Sequence, residues 1–112
     1  MRKYLVLMGI ILFSAALKAE TVEINGVYYN LVNKTSTAEV TSNPNGYKGH
    51  VEIPASVECD GKSYVVISIG NNAFSSNSEL TSIAIPATIE SIGEYNQEIK
   101  GETNVEIIPV SA

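Results

Sequence analysis

The rhythm of apolar and polar positions changes along this chain. Leu5 to Leu17 is a block of apolar residues broken only by Gly9 and Ser14. From Thr21 to Val57 the two classes alternate in short runs, the period of strands that bury one face. Val22-Glu23-Ile24 and Val27-Tyr28-Tyr29-Asn30-Leu31-Val32 flank Asn25-Gly26. That dipeptide tolerates the positive φ angles of a type I′ turn, so a hairpin is predicted there. Ala38-Glu39-Val40-Thr41 reads as a third short strand, which the turn residues Asn43-Pro44-Asn45-Gly46 stop. Asp60-Gly61 predicts a second hairpin, joining Val57-Glu58-Cys59 to Ser63-Tyr64-Val65-Val66.

Beyond Val66 the pattern turns from hairpins to a repeat. Ser68-Ile69-Gly70 returns as Ser91-Ile92-Gly93, and Ile85-Pro86 returns as Ile108-Pro109, both 23 residues later. A period in the low twenties marks a solenoid, whose coils stack like residues on like. Within Leu80-Thr81-Ser82-Ile83-Ala84-Ile85 the spacing predicts Leu80, Ile83 and Ile85 inward and Ser82 and Ala84 outward. Pro86 should end the strand, having no N–H to give. Ala73-Phe74 should plug the far side of the coil, Ile69 and Ile92 should stack inside it, and Gly70 and Gly93 should sit at crowded corners.

An earlier echo, Val51-Glu52-Ile53-Pro54-Ala55-Ser56-Val57, matches Ile83-Ala84-Ile85-Pro86-Ala87-Thr88-Ile89 at an offset of 32. The excess of nine residues over the 23-residue period corresponds to the Asp60-Gly61 hairpin, inserted into an irregular first coil. After Gly93 the repeat decays. Asn96-Gln97 stands where Ala-Phe would return, and Thr103 where Leu80 would. Ile108-Pro109 keeps the 23-residue period, yet the alternation of Val105 and Ile107 fits a register one residue shorter. A one-residue slip exchanges the inside and outside faces. Two readings stay open: a degenerate capping coil with a strand over Val105 to Pro109, or a truncated array that has lost further coils.

The opening block changes the expected compartment. Arg2 and Lys3 precede it, and small residues follow at Ser14-Ala15-Ala16 and Ala19. That is the three-part pattern of a secretory signal peptide, too short for a bilayer span. Cleavage is expected between Ala19 and Glu20, with a cut after Ala16 as the other option. Loss of residues 1–19 leaves four basic and twelve acidic side chains, a formal charge of −8, and no arginine. Such a chain lacks the basic footprint of nucleic-acid binding and is disfavoured at anionic membranes. No membrane span is expected once the leader is gone. The chain has one cysteine, Cys59, so an intramolecular disulfide is excluded.

The inventory for chemistry is thin. There is one histidine, His50, and one aspartate, Asp60. A nucleophile–base arrangement would have to use His50, and no His or Cys pair has metal-ligand spacing. Glu52, Glu58 and Glu90 read as the solvated faces of strands rather than a glycosidase pair. No catalytic residue, metal site or cofactor is therefore assigned, and the chain is read as a non-enzyme. The residues singled out for ligand contact are Tyr28, Tyr29, Tyr47 and Tyr64, together with outward Ser82 and Ala84. Exposed tyrosines suit protein or sugar recognition, but the preferred reading of these four is that they close the open end of the solenoid.

The run Ser68-Ile69-Gly70-Asn71-Asn72-Ala73-Phe74, then Leu80 through Gly93, resembles the BspA-type leucine-rich repeat of Bacteroides-like bacteria, with Asn77 in the usual cysteine place. Ile24 to Tyr29, Asn45-Gly46-Tyr47 and Ile53-Pro54 resemble the β-rich lead-in to such repeats. The resemblance implies a mainly β fold, a short leucine-rich-repeat solenoid behind a hairpin cap. The corresponding division is 1–19 leader, 20–66 cap, 67–93 repeat and 94–112 degenerate repeat or C-terminal cap. It also implies a secreted or surface-exposed protein, with periplasmic retention as the other location. The implied role is protein binding or adhesion, with a host extracellular protein or another cell-surface protein as partner. A ligand-free remnant of a longer repeat protein and a glycan-binding surface component are the alternatives.

Overall fold

The computed structural model describes residues 20–99 and 104–110. The expected leader and its Ala19 cleavage position lie outside the described residues, as does Thr103. Nine strands are described: β1 (Glu20–Ile24), β2 (Val27–Val32), β3 (Thr37–Thr41), β4 (Gly49–Glu52), β5 (Ser56–Cys59), β6 (Lys62–Ile69), β7 (Leu80–Pro86), β8 (Ser91–Ile92) and β9 (Glu106–Val110). No helix is present among the described residues.

Both hairpins form at the dipeptides that predict them. Ile24 faces Val27 across Asn25 and Gly26, whose φ angles are 51° and 88°. Cys59 faces Lys62 across Asp60 and Gly61, at 54° and 79°. Positive φ at both central residues is what a two-residue turn needs to match the twist of its strands. At the first turn the Gly26 N–H also donates to the Glu23 carboxylate (2.6 Å).

The strands form two sheets. The large one runs β1-β2-β3-β6-β5, with β8 added to the far end of β6, and the small one runs β4-β7-β9. The pairings β3–β6, β6–β8, β4–β7 and β7–β9 are all parallel. The lead-in is thus more than a meander: β3 joins β6 in parallel, so the hairpin layer covers the first coil. Inward side chains of the two sheets meet in one core that includes Tyr29, Val40, Val66, Ile69, Phe74 and Ile83, each at most 1% exposed.

Register measures the period directly. His50–Glu52 pair with Ser82–Ala84, an offset of 32. Ser68 and Ile69 pair with Ser91 and Ile92, an offset of 23. Both agree with the sequence. The last coil does not. Ile83 pairs with Ile107 and Ile85 with Pro109, an offset of 24. Neither the 23-residue period nor the shorter register describes it. The extra residue puts Ile107, not Val105, beside Ile83, and aligns Ile108 with outward Ala84. Ile108-Pro109 therefore repeats Ile85-Pro86 in sequence but not in structure.

Leu80 and Ile83 are both buried although three residues apart, a spacing that simple alternation forbids. The β4–β7 register slips between Gly49 and His50, which face Leu80 and Ser82, leaving Thr81 as the additional residue. Such a bulge resets the facing of the strand. A matching slip at Ala38/Glu39 leaves Ile67 unpaired in β6, so Val66 and Ile69 both point inward. Ile92 pairs with Ile69 as expected but is 39% exposed, because no further described coil covers it.

The coil closes on itself at its corner. A Cβ on Gly93 would lie 2.6 Å from the Asn71 backbone nitrogen and 2.8 Å from the Gly70 carbonyl carbon, so only glycine fits. Asn71 Oδ1 accepts from the Glu94 N–H (2.7 Å). Asn96 is completely buried. Its Oδ1 accepts from the Phe74 N–H (3.0 Å), while its Nδ2 donates to the Gly70 and Gly93 carbonyls (both 3.0 Å) and the Glu94 carbonyl (3.3 Å). The amide that breaks the Ala-Phe pattern thus ties the Phe74 N–H to carbonyls at the Gly70 and Gly93 corners.

Candidate functional site

The outer face of the small sheet is built by strand alternation. With Val51, Ile53 and Ile83 in the core, His50 and Glu52 on β4, Ser82 and Ala84 on β7, and Glu106 and Ile108 on β9 share the opposite face. Register lines them up in two rows: His50, Ser82 and Glu106; Glu52, Ala84 and Ile108. His50 Nδ1 meets the Ser82 hydroxyl at 2.6 Å, and His50 Nε2 lies 3.4 Å from a Glu52 carboxylate oxygen. The two side chains are 46% and 74% exposed, so the pair is bathed in solvent and contributes little to stability.

Ser82 and Ala84 point outward as expected, yet they are 9% and 3% exposed. Their side chains are short and stand on the central strand between longer neighbours on β4 and β9. What they offer a partner is a shallow floor, with His50, Glu52 and Glu106 as the rim.

The tyrosines divide differently from their expected exposure. Tyr29, Tyr47 and Tyr64 are 1%, 3% and 6% exposed, so they belong to the core and present little surface to a ligand. Tyr28, the outward member of the Tyr28-Tyr29 pair, is half-buried. Tyr47 serves as a strut between layers. Its hydroxyl donates to the Thr41 carbonyl (2.6 Å) and accepts from the Tyr28 N–H (3.0 Å), and its ring lies 4.8 Å from that of Phe74. Its own N–H donates to Asn77 Oδ1 (2.9 Å), which gives the asparagine in the cysteine place a structural task.

Burial pushes the Tyr47 phenol up to about 12, and burial together with the neighbouring Tyr47 raises Tyr29 as well. The unfolded chain releases these protons near the ordinary value of 10.0, while the folded chain retains them. The stabilisation from the neutral phenols is complete below that pH and is lost as pH rises towards 12. Denaturation midpoints should therefore hold steady up to about pH 10 and fall above it. In Tyr47→Phe the fall should be shallower; a midpoint that stays level to pH 12 in the parent protein contradicts this account of the tyrosines.

An open groove of about 820 Å3 runs beside β4, walled by the β1–β2 turn, Tyr47 and Val57. Among the described residues no group of three or more His, Cys, Asp or Glu side chains is placed to hold a metal. His50 sits between the Ser82 hydroxyl on Nδ1 and the solvent-exposed Glu52 carboxylate near Nε2. No described helix is long and apolar enough to cross a membrane.

The chain superimposes on solved structures of other proteins. The architecture is that of a leucine-rich repeat fold. A leucine-rich repeat protein from Bacteroides ovatus superimposes with a TM-score of 0.65 at 32% identity, over 80% of this chain. One from Bacteroides capillosus gives 0.62 at 24% identity, also over 80% of the chain. A leucine-rich cell surface protein from Faecalibacterium prausnitzii gives 0.64 at 24% identity over 85% of the chain. The chain spans 64% of the B. capillosus protein but only 23% and 24% of the other two. No protein-family model matches the chain, and no curated protein matches it.

Proposed function

We propose that this chain is a secreted or surface-exposed, non-enzymatic binding module of the BspA-like type. Its partner is a host extracellular protein or another cell-surface protein, engaged through the outer face of the small sheet. The observation that carries this reading is that face: a floor of Ser82 and Ala84 framed by His50, Glu52 and Glu106, with no buried titratable group poised for chemistry. The exposed rim residues His50, Glu52 and Glu106 stand outside the core and can vary at little cost to the fold, as the binding residues of rigid scaffolds do. The likeness to a protein described as a cell surface protein supports the location, as does the secretory pattern of residues 1–19.

The test is a binding screen of the exported protein against extracellular matrix proteins, bacterial surface proteins and glycans. A saturable protein ligand is expected, with affinity at least tenfold lower for Ser82→Arg, which raises a long side chain from the floor without entering the core. Failure to bind any protein, or binding untouched by Ser82→Arg and Ala84→Arg in folded variants, removes the proposal. Binding to glycans alone favours a sugar-recognition role.

A further inference from the structure

A second cavity lies beneath the terminal coil, away from the outer face of the small sheet. It measures about 430 Å3 and opens between the turn that enters β7 and the segment that approaches β9. Its lining includes Glu98, a carboxylate only 7% exposed. Glu98 Oε1 is cut off from solvent and accepts no hydrogen bond. The carboxylate has thus lost hydration at one oxygen without replacement, and a positive charge brought against its cavity-facing side offsets that loss.

We propose that this cavity captures a primary alkylammonium group, supplied by a lysine side chain of a protein partner. A single carboxylate matches the single charge of an ammonium. A divalent cation would draw on several carboxylates and six to eight oxygens, and no such cluster exists among the described residues. An ammonium carries three N–H donors, and besides Glu98 the lining includes Ser78, Thr81 and Asn104, whose side chains carry acceptor oxygens. Leu80 and Val105 give the cavity an apolar wall suited to a methylene stem that buries its length while its head is paired. The formal charge of −5 favours approach of a cation from any direction. The capture of an amine stands on the cavity alone; that the amine belongs to a protein rests on the binding-module reading above.

The experiment is a two-dimensional amide NMR titration of the whole protein with an Nα-acetylated, C-terminally amidated lysine. The same titration with the norleucine analogue, which lacks the ammonium, is the control. Lysine should produce saturable shifts at the amides of Ser78, Thr81 and Glu98, and norleucine at least tenfold weaker ones. Glu98→Gln, close in shape and uncharged, should lose the response at least tenfold while the rest of its spectrum stays that of the parent. No lysine response, an equal norleucine response, or a response that survives Glu98→Gln overturns the proposal. A stronger response to glucosamine than to lysine overturns the protein source in favour of an amino sugar. Binding seen only in Lys100→Met assigns the cavity to the chain's own lysine and overturns it too. Each outcome is independent of Ser82→Arg, so the two readings fail separately.

Discussion

Phe74→Ala is expected to lower the unfolding free energy by about 3–5 kcal/mol, the cost of emptying a fully enclosed aromatic site. Phe74 has no exposed surface, touches the Tyr47 ring, and lies where the large sheet, the small sheet and the coil corner converge. The cavity left behind cannot collapse easily, because Asn96 pins the Phe74 backbone N–H and the neighbouring Tyr47 ring is itself held by hydrogen bonds at its hydroxyl. A domain of this size holds roughly 5–10 kcal/mol in total. The variant should therefore melt on the order of 15 °C lower, or lose cooperative unfolding altogether. Thermal and urea unfolding followed by circular dichroism measures it. A loss below about 1 kcal/mol would show that the ring is not packed as described.

Asn96→Ala should cost about 3 kcal/mol, far more than a typical hydrogen-bond deletion. The amide holds the Phe74 N–H and three carbonyls at the coil corner; alanine leaves that buried N–H and the Gly93 carbonyl without their partner, while the Gly70 and Glu94 carbonyls keep only the Ala73 and Asn72 N–H groups. Asn96→Asp separates hydrogen bonding from size. It keeps the acceptor for the Phe74 N–H but turns the donor towards three carbonyls into a repelling oxygen. It should be at least as damaging as alanine at neutral pH and should recover in part as the solution is acidified. Stability curves across pH would display this; an aspartate variant as stable as the parent would mean that the three carbonyls do not depend on the amide.

What could be read from the residues follows from how locally each feature is encoded. Asn25-Gly26 and Asp60-Gly61 fix their turns through φ angles that few other dipeptides accept, so both hairpins are visible without tertiary context. The 32- and 23-residue offsets are visible because several apolar, proline and glycine positions coincide at once. The 24-residue register of the last strand is hidden. Val105, Ile107 and Ile108 are all branched and apolar, so any of three registers places an acceptable side chain inside. The Ile108-Pro109 pair then favours the wrong one. Asn96 looks like decay of the repeat because sequence patterns record side-chain type, whereas its value lies in the main-chain groups it bonds. The bulge at Thr81 is marked only indirectly, by Leu80 and Ile83 being out of step.

Tyrosine placement was legible in part. Alternation correctly sends one of Tyr28 and Tyr29 each way, but nothing local says that Tyr47, in a loop between strands, turns its ring inward to meet Phe74. Its hydroxyl finds partners on β2 and at the end of β3, which only the tertiary arrangement brings within reach. The candidate face was legible through Ser82 and Ala84, while its rim of His50 and Glu106 required the register of three strands.

The two kinds of strand pairing in this chain imply an order of assembly. Each tight hairpin closes over two residues and forms within about 1–10 µs in a free chain. The parallel ladders β4–β7, β6–β8 and β7–β9 must gather segments 23 to 32 residues apart, and that loop-closure entropy is spent before any contact rewards it. The rate-limiting ensemble should accordingly have its hairpins made and its coils still open. Until β7 docks, the apolar inner face of β6 stands uncovered, and this is the interval in which a nascent molecule is most vulnerable to association with its neighbours.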